Sequence, residues 1–145
     1  MREIKFRAWD KKYNMMIQAE SFQRDQMWIS GIGEVFEIGE WSDYGGGGKT
    51  EDDCSDQYIL MQYTGLKDKN GKEIYEGDII STDLDRPFNI VVFRNGAFMF
   101  QCHDNGKDYY DYMFSVDEES DRWEYGEVIG NVYENPELLK GDENA

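Results

Sequence analysis

Histidine and cysteine are scarce in this sequence, which has one histidine and two cysteines in 145 residues. A single histidine leaves almost no residues from which a histidine-based triad or a histidine-rich metal site could be built. Cys54 and Cys102 cannot form a disulfide framework or a cysteine-rich zinc site. Cys102 stands in phase with Phe98 and Phe100, so it is expected to be a core thiol. We assign no catalytic residue and no metal ligand, and we expect no cofactor.

Long apolar runs are also missing. No stretch is long and apolar enough to cross a bilayer, and residues 1–6 lack the apolar run of a signal peptide. We expect a cytoplasmic protein that does not engage a membrane.

Positive charge is in short supply, with 15 basic residues against 31 acidic ones and a net charge of -16. Such a surface repels nucleic acid, so direct DNA binding is not expected. The bases are partly concentrated in residues 1–12, which contain five bases and two acids. The candidate residues for binding an anion or a nucleotide there are Arg2, Lys5 and Arg7.

Acidic residues concentrate at 104–127, which contains nine acids and two bases. Acids steer a basic partner, and aromatic rings beside them supply apolar contact area. The candidate partner-binding residues are Asp117, Glu118, Glu119, Asp121, Trp123, Tyr110 and Tyr112. The alternative is that this stretch only keeps the protein soluble.

Aromatic residues and glycine are abundant, and both favour β structure. Polar and apolar residues alternate over 3–9, which predicts a strand. Asn95-Gly96 between two apolar runs predicts a β-hairpin. Residues 41–56 include four consecutive glycines without apolar periodicity and are expected to form a flexible surface loop. The fold class is therefore mainly β.

Two stretches look like binding motifs. Residues 43–50 are similar to the end of a Walker A loop, but Asp43 replaces a required glycine and acids follow at 51–53. Residues 68–71 are similar to part of an EF-hand loop, but Leu66 and Gly77 would occupy two essential ligand positions. We interpret the first as a glycine loop and the second as a turn.

Three segments together, residues 4–10, 60–79 and 128–138, resemble the YopX-like family of phage and prophage proteins. The resemblance implies a phage or prophage origin, homo-oligomers, and a small SH3-like barrel around Gly77-Asp78-Ile79. It supplies no catalytic residue. We therefore expect an N-terminal β-hairpin layer at 1–40, the loop at 41–56, an SH3-like β-barrel core at 57–139 and a tail at 140–145.

These features favour a non-enzymatic binding or inhibitor module acting in the host cytoplasm on a host or phage protein or on a nucleotide. A counter-defence role has two routes. The acidic surface would mimic nucleic acid in the groove of a basic protein, or an oligomer would sequester a nucleotide. The alternatives are a small carboxylate-dependent hydrolase or nuclease, since paired acids support such chemistry, and a phage-internal scaffold or assembly factor.

Overall fold

The structure, a computed structural model, describes residues 3–24, 27–43, 46–81, 89–104, 107–112 and 126–139. This part of the chain is mainly β, which confirms the predicted class. The elements are β1 (Phe6–Asp10), β2 (Met15–Ile17), α1 (Ala19–Arg24), β3 (Met27–Ile29), β4 (Val35–Asp43), β5 (Gly46–Asp53), β6 (Tyr58–Lys67), β7 (Glu73–Tyr75), β8 (Asp78–Ser81), β9 (Asn89–Arg94), β10 (Ala97–Asp104), β11 (Lys107–Tyr112) and β12 (Glu127–Asn131). The SH3-like detail stays a prediction.

The chain divides into two compact units. The N-terminal unit is Lys5–Met61, and the C-terminal unit is Gln62–Ala145 together with Met1–Ile4. Strand β6 begins in the first unit and ends in the second. The domain boundaries predicted at residues 40, 56 and 139 stay predictions.

In the N-terminal unit, β1 pairs with β2, and a second sheet has the order β3-β4-β5. The short helix α1 lies between β2 and β3 and contributes Phe22 to the core. The core residues are Ala8, Phe22, Met27, Val35 and Tyr58. The predicted N-terminal strand is present as β1.

The structure corrects the loop that was expected at residues 41–56. Strand β4 extends to Asp43, and β5 pairs with it from Asp53 opposite Phe36 to Gly46 opposite Asp43. Backbone groups make these pairs, so they form without the side-chain periodicity on which the sequence prediction relied. A Walker A loop needs a strand before it and a helix after it, and here β4 and β5 occupy the segment.

In the C-terminal unit, a sheet has the order β11-β10-β9-β8-β12, and the later part of β6 pairs with β7. The predicted hairpin is confirmed, because Arg94 pairs with Ala97 across Asn95 (φ 53°) and Gly96 (φ 80°). Positive φ at both turn residues is what a two-residue hairpin needs, and asparagine and glycine adopt it most readily. The core residues are Ile74, Ile80, Val91, Phe100, Cys102 and Val128.

The Asp68 carboxylate joins two distant parts of the C-terminal unit. Its Oδ1 accepts the backbone N–H groups of Asn70 and Lys72, both at 2.9 Å. Its Oδ2 accepts the N–H of Val128 in β12, also at 2.9 Å. Burial raises the pKa of this carboxyl, but the three N–H donors outweigh burial and hold the pKa below its ordinary value of 3.8. The EF-hand-like stretch is thus a turn, as predicted.

Asp68→Asn should lower the free energy of unfolding by about 1–3 kcal/mol at neutral pH, because an amide NH₂ would face the Val128 N–H. The folded-state pKa of Asp68 is depressed, so its stabilisation is present above pH 3.8 and is lost as the pH falls through the folded pKa. Urea unfolding of both proteins should therefore converge in strong acid. Glu127→Gln, on an exposed neighbour of Val128, is the control. An equal loss in both variants would contradict this role.

The end of β12 is a tightly packed corner. The Asn135 Oδ1 accepts the N–H of Asn131 at 3.2 Å, and the Asn131 Oδ1 accepts the N–H of Glu134 at 2.8 Å. The Leu138 N–H bonds to the Asn135 carbonyl at 3.1 Å, and residues 136–139 form a 3₁₀ turn. A Cβ on Gly130 would lie 2.7 Å from the Asn135 Cγ, so only glycine fits there without displacing Asn135.

Gly130→Ala should lower the free energy of unfolding by about 1–3 kcal/mol, because the new methyl group overlaps the Asn135 side chain. Gly31→Ala is the matched control, since a Cβ there meets nothing within 4 Å. In a double-mutant cycle, Asn135→Ala should make the cost of Gly130→Ala smaller than in the native background. Strictly additive costs would show that Asn135 is not the obstacle.

Candidate functional site

Other buried carboxylates also hold turns. Asp10 is 3% exposed, and its Oδ1 accepts the N–H groups of Lys12 (2.9 Å) and Tyr13 (3.2 Å) and the side-chain amide of Gln57 (3.1 Å). Asp78 is 1% exposed and accepts the N–H of Tyr75 at 2.8 Å. These contacts satisfy backbone donors in the way that side-chain oxygens do in turns. Asp10 and Asp78 therefore stabilise turns of the fold.

Tyr58, Glu37 and Cys54 form a polar cluster in the N-terminal unit. The Tyr58 hydroxyl donates to the Glu37 Oε1 at 2.5 Å. Burial raises the pKa of Tyr58 well above its ordinary value, and the hydrogen bond and charge of Glu37 add to the effect. Burial, followed by the charge of Glu37, likewise raises the pKa of the Cys54 thiol. A raised pKa keeps both groups protonated at neutral pH, which is the opposite of nucleophile activation.

The second thiol lies in the core, as predicted. Cys102 is fully buried, and its Sγ lies 2.7 Å from the Oδ1 of Asn89, which is 1% exposed. Asn89 and Cys102 are also opposite each other in the register of β9 and β10. This pair satisfies a buried amide oxygen inside the sheet.

Glu76 and Tyr133 are half-buried in the C-terminal unit. The Glu76 Oε1 accepts the backbone N–H of Gln62 at 3.3 Å. Burial raises the pKa of Glu76 above its ordinary value, although the Gln62 bond opposes the shift. Burial and the nearby Glu76 charge raise the pKa of Tyr133. The raised pKa of Glu76 means that its surroundings disfavour the ionised form of this carboxyl.

The acidic partner-binding prediction falls largely outside the described residues. Asp117, Glu118, Glu119, Asp121 and Trp123 all lie there. Tyr112 pairs with Met99 through the backbone of β11 and β10. The half-buried ring of Tyr110 is covered by Arg94, whose Cζ lies 4.0 Å from the ring centroid. The assignment of these residues to partner binding stays a prediction.

The predicted anion-binding residues have different surroundings. Arg2 lies outside the described residues, and Lys5 is half-buried just before β1. Arg7 lies in β1 and is only 6% exposed. Their joint role in binding an anion or nucleotide also stays a prediction.

An exposed aromatic stack lies on the β3-β4-β5 sheet, and the sequence analysis did not single it out. The rings of Trp28 and Phe36 lie 4.4 Å apart at an interplanar angle of 13°. Trp28 is 37% exposed, and Phe36 is half-buried. Met27 and Val35, one residue earlier in each strand, are buried in the core. Because side chains alternate along a strand, the stack lies on the face turned away from that core.

The strands that carry this stack are strongly acidic. Residues 27–56 contain a single base, Lys49, and eight acids. The acids are Glu34, Glu37, Glu40, Asp43, Glu51, Asp52, Asp53 and Asp56. Glu37 is bonded to Tyr58, whereas Asp52, Asp53 and Asp56 are exposed. An aromatic stack with exposed carboxylates nearby is suited to a cationic partner.

A second aromatic pair lies in the C-terminal unit. Phe93 and Phe98 are directly opposite each other across β9 and β10, with ring centroids 5.0 Å apart at 71°. Phe93 is 52% exposed, and Phe98 packs against the core. Strands β9 and β10 together contain one base, Arg94, and one acid, Asp104. The Trp28–Phe36 surface, which lies in a strongly acidic segment, is therefore the better match for a basic partner.

Within the described residues, no group of three or more histidine, cysteine, aspartate or glutamate side chains is arranged to hold a metal ion. No helix in that part of the chain is long and apolar enough to span a membrane.

Comparison with known proteins places the chain in a family. Its structure is similar to the crystal structure of protein EF1440 from Enterococcus faecalis, with a TM-score of 0.51 and 26% sequence identity. That similarity covers 96% of this chain and 99% of the other. No curated protein matches the chain. The family model described as YopX protein matches residues 5–140, nearly the whole sequence. The resemblance drawn from the three sequence segments is thus confirmed, and the chain belongs to the YopX protein family.

Proposed function

We propose that this protein is a non-enzymatic binding module that captures a positively charged protein. The observation that carries the proposal is the exposed Trp28–Phe36 stack in a segment, residues 27–56, that contains eight acids and one base. Exposed aromatic rings supply the apolar area of an interface, and unpaired surface charge supplies long-range attraction. Together they favour recognition of a basic surface.

The described buried polar groups support a binding role over catalysis. Asp10, Asp68 and Asp78 accept backbone N–H groups, and the Cys54 thiol has a raised pKa. Catalytic nucleophiles and bases are instead activated by neighbours that make them reactive near neutral pH. We therefore favour a binding module over the carboxylate-dependent hydrolase or nuclease. Magnesium-dependent turnover that a carboxylate substitution abolishes would reverse this preference.

The biological form of the proposal is counter-defence by a phage or prophage protein. A net charge of -16 on 145 residues resembles the charge that a nucleic acid presents to a basic groove. A protein that occupies such a groove prevents nucleic acid from entering it. The nucleotide-sequestration route would draw on Lys5 and Arg7, and the low exposure of Arg7, 6%, makes protein capture the better supported route.

Self-association is a separate proposal. Exposed apolar side chains such as Tyr13, Met15, Ile32 and Phe93 are material for contacts between copies. Light scattering should give a mass that is a multiple of 17.0 kDa. A particle of 17.0 kDa at micromolar concentration would contradict it.

The immobilised protein should retain basic proteins from a nuclease-treated bacterial lysate at low salt and lose them as salt screens the attraction. Mass spectrometry of the retained proteins measures the outcome. A folded acidic protein of similar size and net charge is the control for simple ion exchange. For nucleic-acid mimicry, a retained partner should also release its bound nucleic acid when this protein is added. Retention identical to that of the control protein would contradict the proposal.

A further inference from the structure

The Trp28–Phe36 stack continues into a carboxylate. Trp28 is directly opposite Phe36, and Phe36 is directly opposite Asp53, so the three residues form one row across β3, β4 and β5. Directly paired residues in an antiparallel sheet present their side chains on the same face. Adjacent strands lie about 4.8 Å apart, so a single extended side chain spans from the middle of the row to either end. We call Trp28, Phe36 and Asp53 the aromatic-acid row.

The Asp53 carboxylate is exposed and ionised. Its Oδ1 accepts the hydroxyl of Ser55 at 2.5 Å and the Ser55 backbone N–H at 2.9 Å. These bonds, the hydroxyl first, lower the pKa of Asp53 below its ordinary value. Both bonds end on Oδ1 and hold the exposed carboxylate at the end of the strand.

Arginine is the side chain that matches both the aromatic ring and the carboxylate of the Phe36–Asp53 pair in this row. Its planar guanidinium stacks on aromatic rings and also forms hydrogen-bonded pairs with carboxylates, whereas the lysine ammonium does not stack in this way. The chain makes one half of this contact internally, where Arg94 lies 4.0 Å from the ring centroid of Tyr110. The segment that carries the row, residues 27–56, has eight acids and one base, and this excess of seven acids favours a basic polypeptide and repels nucleic acid and anionic membrane.

We propose that the aromatic-acid row is a docking site for an arginine of a basic polypeptide, with the guanidinium against the Phe36 ring and paired with Asp53, and with Trp28 stacked on the other side of Phe36. This inference rests on the proposed capture of a basic protein and names the chemistry of the contact. Occupation of the row by a second copy of this chain is the competing outcome.

The probe is a short synthetic peptide of alternating glycine and arginine, compared with its lysine and citrulline counterparts of equal length. Calorimetric titration of the full chain should give several-fold tighter binding for arginine than for lysine. Citrulline keeps the planar shape without the charge and should bind more weakly than either. Equal affinity for the arginine and lysine peptides would overturn the proposal.

Two variants locate the contact. Trp28→Leu should weaken arginine-peptide binding about threefold to tenfold, because it removes the ring that stacks on Phe36 and holds Phe36 against the guanidinium, while an apolar side chain remains. Asp53→Asn should weaken it about twofold to fivefold, and the retained amide oxygen still accepts the Ser55 bonds. The matched controls are Tyr13→Leu, an aromatic that is 64% exposed, and Asp56→Asn, an exposed acid outside the row. Circular dichroism melting should show all four variants folded.

The outcomes separate this inference from the proposed function. If both row variants bind the arginine peptide as tightly as their controls, the row is not the site, although capture of basic proteins still stands. If none of the basic peptides binds and the lysate yields no basic protein, the proposed function fails as well. If Trp28→Leu dissociates an oligomer and leaves peptide binding unchanged, the row is a contact between copies and the proposal is wrong.

Discussion

The structure of the C-terminal unit depends on the Asp68 carboxylate, which accepts three backbone N–H groups. Asp68 closes the turn between β6 and β7 and also accepts the N–H of Val128, 60 residues later in the sequence. A second contact, from the Lys69 N–H to the Gly126 carbonyl at 3.1 Å, lies beside it. Val128 belongs to the buried core, and its strand β12 lies at the edge of the sheet. The Asp68 carboxylate therefore holds in place an edge strand that contributes a side chain to the core. A charged acceptor makes these bonds stronger than neutral ones.

The features predicted from the sequence are those that neighbouring residues determine. Asn95-Gly96 predicts its hairpin because the backbone angles of two residues decide the turn. The pairing of β4 with β5 could not be predicted in this way. The three glycines at the start of β5 have no side chains to alternate, so the strand has no periodic signal and is defined only by its partner.

The candidate site also could not be predicted from residues that are neighbours in the sequence. The sequence drew attention to 104–127 because acidic and aromatic residues are adjacent there in the chain. In the aromatic-acid row, Trp28, Phe36 and Asp53 come from three strands, and only the pairing register brings them to one face. A one-residue shift of β4 against β5 would place Asp53 opposite a different residue and end the match. Register was the missing information, and composition could not supply it.

Two classes of carboxylate therefore have opposite effects on the free energy of folding. Buried acids such as Asp10 and Asp68 stabilise the fold because backbone N–H groups solvate their charge. The acids of residues 27–56 outnumber the single base, Lys49, and Glu37 stands directly opposite Asp52, so repulsion between acids opposes the pairing of β4 with β5. On the proposed function, a basic partner would reduce that repulsion and would bind the folded but not the unfolded chain, so it would raise the apparent stability of the N-terminal unit. On the proposed function, the same charges that weaken the free sheet favour its complex.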